Sequence, residues 1–250
     1  MAATIGPAPY RSDVARRALL TAVVAVTAMA FPVVRGPAAQ AAHGESTRVA
    51  ARSALSAWQA GTVTVEEAAT LAIVSDGRPR LARLSIPSLG LHDLRVVPYR
   101  GWTDDEPGTD IQDRGVAASP HGPRGGVGPG GLGNYQITAH RTSSTAAFRM
   151  LPSLRNGQQA VVTVDGVRFV YEIRQTRETS FRSPRSLAEQ RAAVPGRPGA
   201  SPTRAFLTLS TCATQEDHAA GNYWADEFHN PEHRIDKIGV LVRQERVAAQ

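Results

Sequence analysis

Cysteine is nearly absent from the sequence, since Cys212 is the only one among 250 residues. One thiol cannot close a disulfide within the chain, and a metal site built from several cysteines is excluded as well. The sequence also has only a small excess of charge of one sign, because 28 Lys and Arg and 22 Asp and Glu give a net charge of +6. No basic stripe alternates with aromatic residues, so we do not expect the protein to bind nucleic acid.

Long hydrophobic runs are scarce too, and the one clear example lies near the amino terminus. Residues 18–34 carry no charge, and the polar segment ahead of them contains three arginines. A helix over these residues would measure about 26 Å, close to the hydrocarbon thickness of a membrane. We therefore predict a cytoplasmic basic tail over 1–17 and a signal anchor over 18–34, which would place the remaining chain outside the cell. The same features suit a signal peptide cleaved near Ala39-Gln40-Ala41, and the protein would then be secreted.

The rest of the sequence divides into a linker and a β-rich domain. Residues 35–80 are rich in small and polar residues and are predicted to form a stalk or linker. From residue 81 onward, short apolar segments alternate with turn signals, and Asp165-Gly166 is a strong hairpin signal. Long helices do not alternate with the strands, which excludes a doubly wound sheet and favours a small barrel or sandwich over 81–245. Strands are predicted at 81–86, 91–98, 134–140, 159–164, 167–173, 205–212 and 238–242, and short helices or turns at 110–118, 148–154 and around Leu187.

Three side chains with complementary chemistry lie at or near the ends of predicted strands. Cys212 closes the strand over 205–212, His140 closes the strand over 134–140, and Arg234 precedes the last strand. A lone thiol in an exported protein suggests a reactive group. A neighbouring imidazolium would stabilise its thiolate, and an arginine would stabilise the oxyanion of a tetrahedral intermediate. If these strands are neighbours in a barrel, the three residues meet at one rim and form a catalytic site.

A second group of polar residues lies in segment 213–233 and has the composition of a metal site. The group consists of three histidines and two of the acidic residues in this segment, namely His218, His229, His233, Asp217 and Glu232. Pro231 lies between His229 and His233 and disrupts the helical spacing that would let both bind one ion. A solvated loop is the favoured interpretation, so neither a metal nor a cofactor is expected.

The sequence around the catalytic candidates resembles the sortase family. Residues 207–212 (LTLSTC) are similar to the Thr-Leu-x-Thr-Cys signature of sortases, and residues 137–140 (ITAH) are similar to their strand-ending histidine motif. The likeness extends in family order over residues 81 to 243 and includes segments 85–90 and 113–116 and the spacing of Phe148, Leu151, Leu154 and Gly157. The His140-Arg141-Thr142 sequence after the strand favours class E.

The resemblance implies a sortase-type closed β-barrel with a few short helices, preceded by an N-terminal hydrophobic helix. It implies a cysteine transpeptidase that cleaves a Leu-Pro/Ala-x-Thr-Gly-like sorting signal through a thioester and joins the Thr carbonyl to an amine of a cell-wall precursor or a pilin. Cys212 would be the nucleophile, His140 the general acid and base, and Arg234 the oxyanion ligand. Thr211 would bind substrate. No cofactor is implied, and the enzyme would be attached to the cell membrane with its catalytic domain outside.

Two departures from the family pattern leave a second function open. Ala139 replaces the glycine that commonly precedes the histidine, and the interval between Cys212 and Arg234 is longer than usual. The long interval makes Arg243 an alternative to Arg234, and its residues 213–233 are predicted to form a lid over the substrate groove. The alternative function is a catalytically silent, exported β-barrel scaffold or binding module.

Overall fold

The computed structural model describes residues 75–247. The basic tail over 1–17, the signal anchor over 18–34 and most of the stalk over 35–80 lie outside these residues and stay predictions. Within 75–247, no helix is both long and apolar enough to cross a membrane.

Eight strands form a closed β-barrel, which confirms the predicted fold class. The strands are β1 (Ala82–Ile86), β2 (Leu91–Arg100), β3 (Ala117–His121), β4 (Gly133–Thr138), β5 (Gln159–Val164), β6 (Val167–Ser180), β7 (Ala205–Cys212) and β8 (His233–Arg246). Around the barrel they follow the order β1-β2-β3-β4-β7-β8-β6-β5, and β5 pairs again with β1. The pairings of β2 with β3 and of β4 with β7 are parallel, and the others are antiparallel.

Three short α-helices and two turns of 3-10 helix connect the strands within the described residues. The α-helices are α1 (Glu106–Asp113), α2 (Pro184–Arg191) and α3 (Thr214–Ala219), and the 3-10 turns cover Pro87–Leu89 and Leu151–Ser153. The helix predicted at 110–118 was placed too late. Asp105 caps α1 by accepting a hydrogen bond from the backbone amide of Gly108 at 3.0 Å, so the helix begins earlier. The end of the predicted helix belongs to β3, which the sequence analysis missed.

The hairpin of β5 and β6 forms where the sequence predicted it. Asp165 and Gly166 have φ angles of 49° and 73°, the left-handed conformation that a two-residue hairpin turn requires. Val164 and Val167 pair directly across the turn.

Both faces of β4 are buried, one against the apolar core and the other under α2. Tyr135 and Ile137 point into the core, while the side-chain amide of Asn134 donates to the carbonyls of Gln190 and Ala192 at 3.0 and 3.1 Å. The outer face of β4 and β7 therefore carries buried polar residues, namely Asn134, Gln136, Thr138, Thr208 and Ser210.

The last strand is much longer than the predicted segment 238–242, because β8 starts at His233. Its first part is polar yet buried. Asp236 accepts hydrogen bonds from the hydroxyl of Thr179 at 2.6 Å and from the side-chain amide of Gln190 at 3.0 Å. A search for apolar residues does not find a strand whose polar side chains are paired in this way, and the prediction that Arg234 precedes the strand was therefore wrong.

Candidate active site

The structure brings Cys212, His140 and Arg234 to one rim of the barrel through the register of β4, β7 and β8. Cys212 of β7 pairs directly with Arg234 of β8. On the other side of β7, Ser210 pairs with Thr138 of β4 in parallel register, so Cys212 and His140 each lie two residues further along their chains. Side chains alternate between the two faces of a sheet, so this register places Cys212 and Arg234 side by side on the outer face. β4 ends at Thr138, two residues earlier than predicted, and His140 follows it at the same rim of the barrel.

Thr211 and Ala139, the residues before Cys212 and His140, connect β7 to the end of β4. The hydroxyl of Thr211 donates to the carbonyl of Ala139 at 2.8 Å, and Thr211 is buried. The φ angle of Ala139 is not positive, so alanine in place of the family's glycine adds no backbone strain. The predicted contact of Thr211 with substrate stays a prediction.

The sulfur of Cys212 is surrounded by charges from four parts of the chain. Burial raises the pKa of the thiol, Arg234 opposes this shift, and the carboxylates of Asp104 and Asp226 add to it, with a smaller opposing effect of Arg141. The net shift of the pKa is upward. Because an ordinary thiol already has a pKa of about 8.5, the free protein holds Cys212 mainly as a neutral thiol at pH 7. This state differs from the thiolate that an imidazolium neighbour would favour.

His140 is tied to α1 through Asp113, to which the sequence analysis assigned no role. The Nε2 atom of His140 lies 2.7 Å from Oδ1 of Asp113, the last residue of α1. The imidazole is 14% exposed and the carboxylate 61% exposed. Since a carboxylate accepts a hydrogen bond, this contact places the proton of the neutral ring on Nε2 and makes Nδ1 the basic nitrogen.

Arg234 is fully buried, and its guanidinium is held on several sides. Its Nε donates to Oδ2 of Asp104 at 3.2 Å, and its Nη1 donates to the carbonyls of Pro231 and His233 at 3.0 and 3.3 Å. The guanidinium carbon lies 4.1 Å from the centre of the Phe181 ring, within cation–π distance. Among the described residues, Nη2 has no hydrogen-bond partner.

The guanidinium of Arg234 is therefore a buried cation with one nitrogen free to donate. Burial alone would lower its pKa, but Asp104 and Cys212 raise it, and the net shift is upward. An unpaired donor in a buried site favours an oxygen ligand that carries negative charge. The alternative arginine, Arg243, pairs with Val170 of β6 and forms a surface ion pair with Glu245, so it is not a strand neighbour of Cys212.

Arg141, which directly follows His140, links the end of β7 to α3. Its guanidinium donates to the carbonyl of Cys212 at 3.2 Å, to the side chain of Gln215 at 3.1 Å and to both carboxylate oxygens of Glu216. The hydrogen bond from Arg141 lowers the pKa of Glu216, although burial opposes the shift. The buried side chain of Arg141, the residue after His140, thus connects this segment to the backbone of Cys212 and to α3.

Substituting Arg141 by methionine is expected to lower the free energy of unfolding by about 2–3 kcal/mol, because hydrogen bonds to a buried cation are lost. The Glu216 side chain is 47% exposed, so solvent screening keeps the effect at this modest size. A carboxyl with a lowered pKa stabilises the fold above its ordinary pKa, and the deficit should shrink as the pH falls below about 4. Urea unfolding at pH 7 and pH 3 measures both effects. Arg149→Met, at an exposed arginine in the same loop, is the control. Equal stability of the two variants at pH 7 would contradict the prediction.

The interval between β7 and β8 contains α3 and a loop with exposed aromatic residues. Tyr223 is 73% exposed and stacks on the ring of His218 at a centroid distance of 4.9 Å. Nδ1 of His233 lies 2.6 Å from Oδ1 of Asp217, and Nε2 faces the carboxylates of Glu232 and Glu178 at the longer distances of 3.7 and 3.8 Å. In the part of the chain that the structure describes, no three His, Cys, Asp or Glu side chains form a group that could hold a metal ion. Whether segment 213–233 acts as a lid stays a prediction.

Comparison with known proteins identifies the same region. A family model described as a sortase domain matches residues 84–225, which include His140 and Cys212 and end before Arg234. SrtA sortase from Actinomyces oris aligns with a TM-score of 0.50 at 19% identity, over 66% of this chain and 81% of that protein, and shows the same fold. SrtF sortase from Corynebacterium diphtheriae aligns with a TM-score of 0.49 at 18% identity, over 69% and 91% of the two chains. Sortase E1 from Streptomyces coelicolor aligns at 0.48 and 22%, over 70% and 94%. No protein of curated function matches the sequence.

Proposed function

Since the chain belongs to the sortase family of cysteine transpeptidases, we propose that it cleaves a Leu-Pro/Ala-x-Thr-Gly-like sorting signal and joins the Thr carbonyl to an amine of a cell-wall precursor or a pilin. The observation that supports the proposal is the register of three neighbouring strands, in which Cys212 pairs with Arg234 and the end of β4, two residues before His140, pairs with Ser210. A thiol, an imidazole and a buried cation are the groups that acyl transfer through a thioester requires.

The proposed reaction starts from a neutral thiol, because the pKa of Cys212 is raised. The sulfur attacks the Thr carbonyl while His140 takes the thiol proton, and the carbonyl oxygen becomes an oxyanion. The free Nη2 of Arg234 donates to that oxygen. His140 then gives its proton to the departing glycine amine, which leaves a thioester on Cys212. An incoming amine attacks the thioester, His140 removes its proton, and the Cys212 thiol is restored.

We further propose that the protein is attached to the cell membrane and presents the barrel outside the cell. The uncharged run over 18–34 and the arginines that precede it support this location. Cleavage after that run would instead release a secreted enzyme. The mass of the mature protein isolated from cells, together with its recovery in the membrane fraction, distinguishes the two.

The experiment that tests the activity is incubation of the full-length protein with a sorting-signal peptide and triglycine, followed by mass spectrometry. We expect a product in which the peptide through Thr is joined to triglycine, and a hydrolysed peptide when the amine is omitted. A peptide with Thr and Gly exchanged is the matched control and should remain intact. If neither product forms from Leu-Pro-x-Thr-Gly or Leu-Ala-x-Thr-Gly peptides, and a peptide vinyl sulfone leaves Cys212 unmodified, the scaffold function is correct instead.

A further inference from the structure

Asp104 lies in the loop between β2 and α1 and contacts Arg234 across 130 positions of sequence. Its carboxylate accepts the Nε hydrogen bond at 3.2 Å and is only 9% exposed, next to a guanidinium that is fully buried. We propose that Asp104 is a positioning residue of the transpeptidase, which holds the Arg234 guanidinium in the orientation that leaves Nη2 free for the oxyanion. The inference rests on the proposed function and adds to it a residue outside the three catalytic candidates.

The backbone of Asp104 is committed to one conformation. Its φ angle is 60°, in the left-handed region that residues other than glycine, asparagine and aspartate rarely adopt. Both neighbours are buried, and Asp105 is fixed because its carboxylate accepts hydrogen bonds from the backbone amides of Trp102 and Gly108, each at 3.0 Å. The surrounding structure therefore determines where the Asp104 carboxylate lies.

Helix α2 anchors the other side of the loop through Thr103. The hydroxyl of Thr103 donates to the side chain of Gln190 at 2.8 Å. Arg191 donates to the same hydroxyl at 3.0 Å and to the Thr103 carbonyl at 3.2 Å. Gln190 in turn donates to Asp236 of β8 at 3.0 Å, so the loop is tied to the strand that carries Arg234. These contacts fix the position of the loop that carries Asp104.

The contacts of Arg234 show what Asp104 contributes. Nη1 is bound by two backbone carbonyls and the face of the guanidinium stacks on Phe181, but Asp104 is the only side chain that accepts from Nε among the described residues. Without the carboxylate, Nε becomes a second free donor and the plane of the guanidinium loses one of its fixed edges. A misplacement of about 1 Å at a catalytic group costs about 10²-fold in rate.

The charge of Asp104 also acts on Cys212, which provides a readout that needs no substrate. Asp104 raises the pKa of the Cys212 thiol, as does Asp226 from the loop before β8, whereas Arg234 and Arg141 lower it. Removing the Asp104 charge while Arg234 stays in place should therefore lower the pKa of Cys212. Iodoacetamide reacts with the thiolate, so the pH midpoint of Cys212 alkylation reports this shift.

Asp104→Asn and Asp104→Gly test the proposal, since both residues accept a left-handed φ. Glycine removes the carboxylate, and we expect kcat to fall about 10²-fold with KM changed less than about threefold, because the oxyanion forms only after substrate binds. Asparagine retains an acceptor for Nε without the charge, and we expect a loss of about tenfold. In Asp104→Asn, where Arg234 stays in place, the alkylation midpoint should move to lower pH; in Asp104→Gly the loosened Arg234 lowers the thiol pKa less, so the midpoint should move less far. If Asp104 did not position Arg234, the two variants, which both lose the carboxylate charge, would share one midpoint.

Asp93→Asn and Asp93→Gly are matched controls, because Asp93 is exposed and has a φ angle of 51°. Both should leave kcat and the alkylation midpoint unchanged. The proposal is overturned if Asp104→Gly retains more than half of the wild-type kcat, if Asp104→Asn leaves the midpoint unchanged, or if the two Asp104 variants share one midpoint. If the glycine variant does not fold, the asparagine variant carries both measurements. If the wild-type protein does not act on the peptide, the proposed function fails, and the alkylation midpoint still decides whether Asp104 controls the Arg234–Cys212 pair.

Discussion

Substituting Cys212 by alanine is expected to lower the rate of transpeptidation more than about 10⁴-fold, because no other group can form the thioester. The sequence contains no second cysteine that could replace it. Cys212 lies at the end of β7 and is not part of the apolar core, so removal of its sulfur leaves the core of the barrel intact. We therefore expect the variant to keep its urea unfolding midpoint while losing both the triglycine product and the hydrolysed peptide in mass spectrometry.

Cys212→Ser is the control, because it replaces the thiol by a hydroxyl, a polar group of similar size, at the same position. An alcohol is a far weaker nucleophile than a thiol at the same pH, so the serine variant should also lose activity and give no labelled product with a vinyl sulfone. Product formation by the alanine variant at even a hundredth of the wild-type rate would show that Cys212 is not the nucleophile. Loss of folding in both variants would instead assign the cysteine a structural role.

The strands that the sequence predicted correctly are those in which local pattern and tertiary environment agree. β7 coincides with the predicted segment 205–212, and the turn at Asp165-Gly166 forms as expected because both residues accept positive φ. β3 was missed because its sequence, AASPH, contains a proline and no large apolar residue. It is a strand because β2 pairs with it in parallel, a contact between segments that local periodicity does not reveal.

The residues of the candidate site likewise differ in whether the sequence alone could identify them. Cys212 and His140 could be found from the sequence because each lies next to a strand end and within a family-like motif. Asp104, Asp113 and Arg141 could not be assigned roles, since their contacts join residues 27 to 130 positions apart. In the structure Asp105 caps α1, and nothing in the local sequence indicates that the carboxylate of the preceding Asp104 faces Arg234. The register of β7 and β8 had to be known before Arg234 could be distinguished from Arg243.

Substituting Arg234 by lysine is expected to lower kcat about 10²–10³-fold, the range observed when one oxyanion donor is lost. Lysine retains a positive charge beside Asp104, so no uncompensated carboxylate is left in the buried site. It lacks the planar group whose Nε binds Asp104, whose Nη1 binds the backbone and whose Nη2 stays free. KM should change little, because the lost hydrogen bond forms mainly in the transition state. Steady-state assays with the sorting-signal peptide and triglycine measure both constants.

Arg243→Lys is the matched control, since Arg243 lies on the same strand but is exposed and paired with Glu245. It should retain wild-type kcat. If Arg243→Lys loses activity and Arg234→Lys does not, the oxyanion ligand has been assigned to the wrong arginine, and the strand register no longer explains the site. If both variants are fully active, a backbone amide rather than a guanidinium must stabilise the oxyanion. A selective loss in Arg234→Lys means that a residue 22 positions after the cysteine can serve as the oxyanion ligand, because antiparallel pairing depends on strand register and not on the length of the connecting segment.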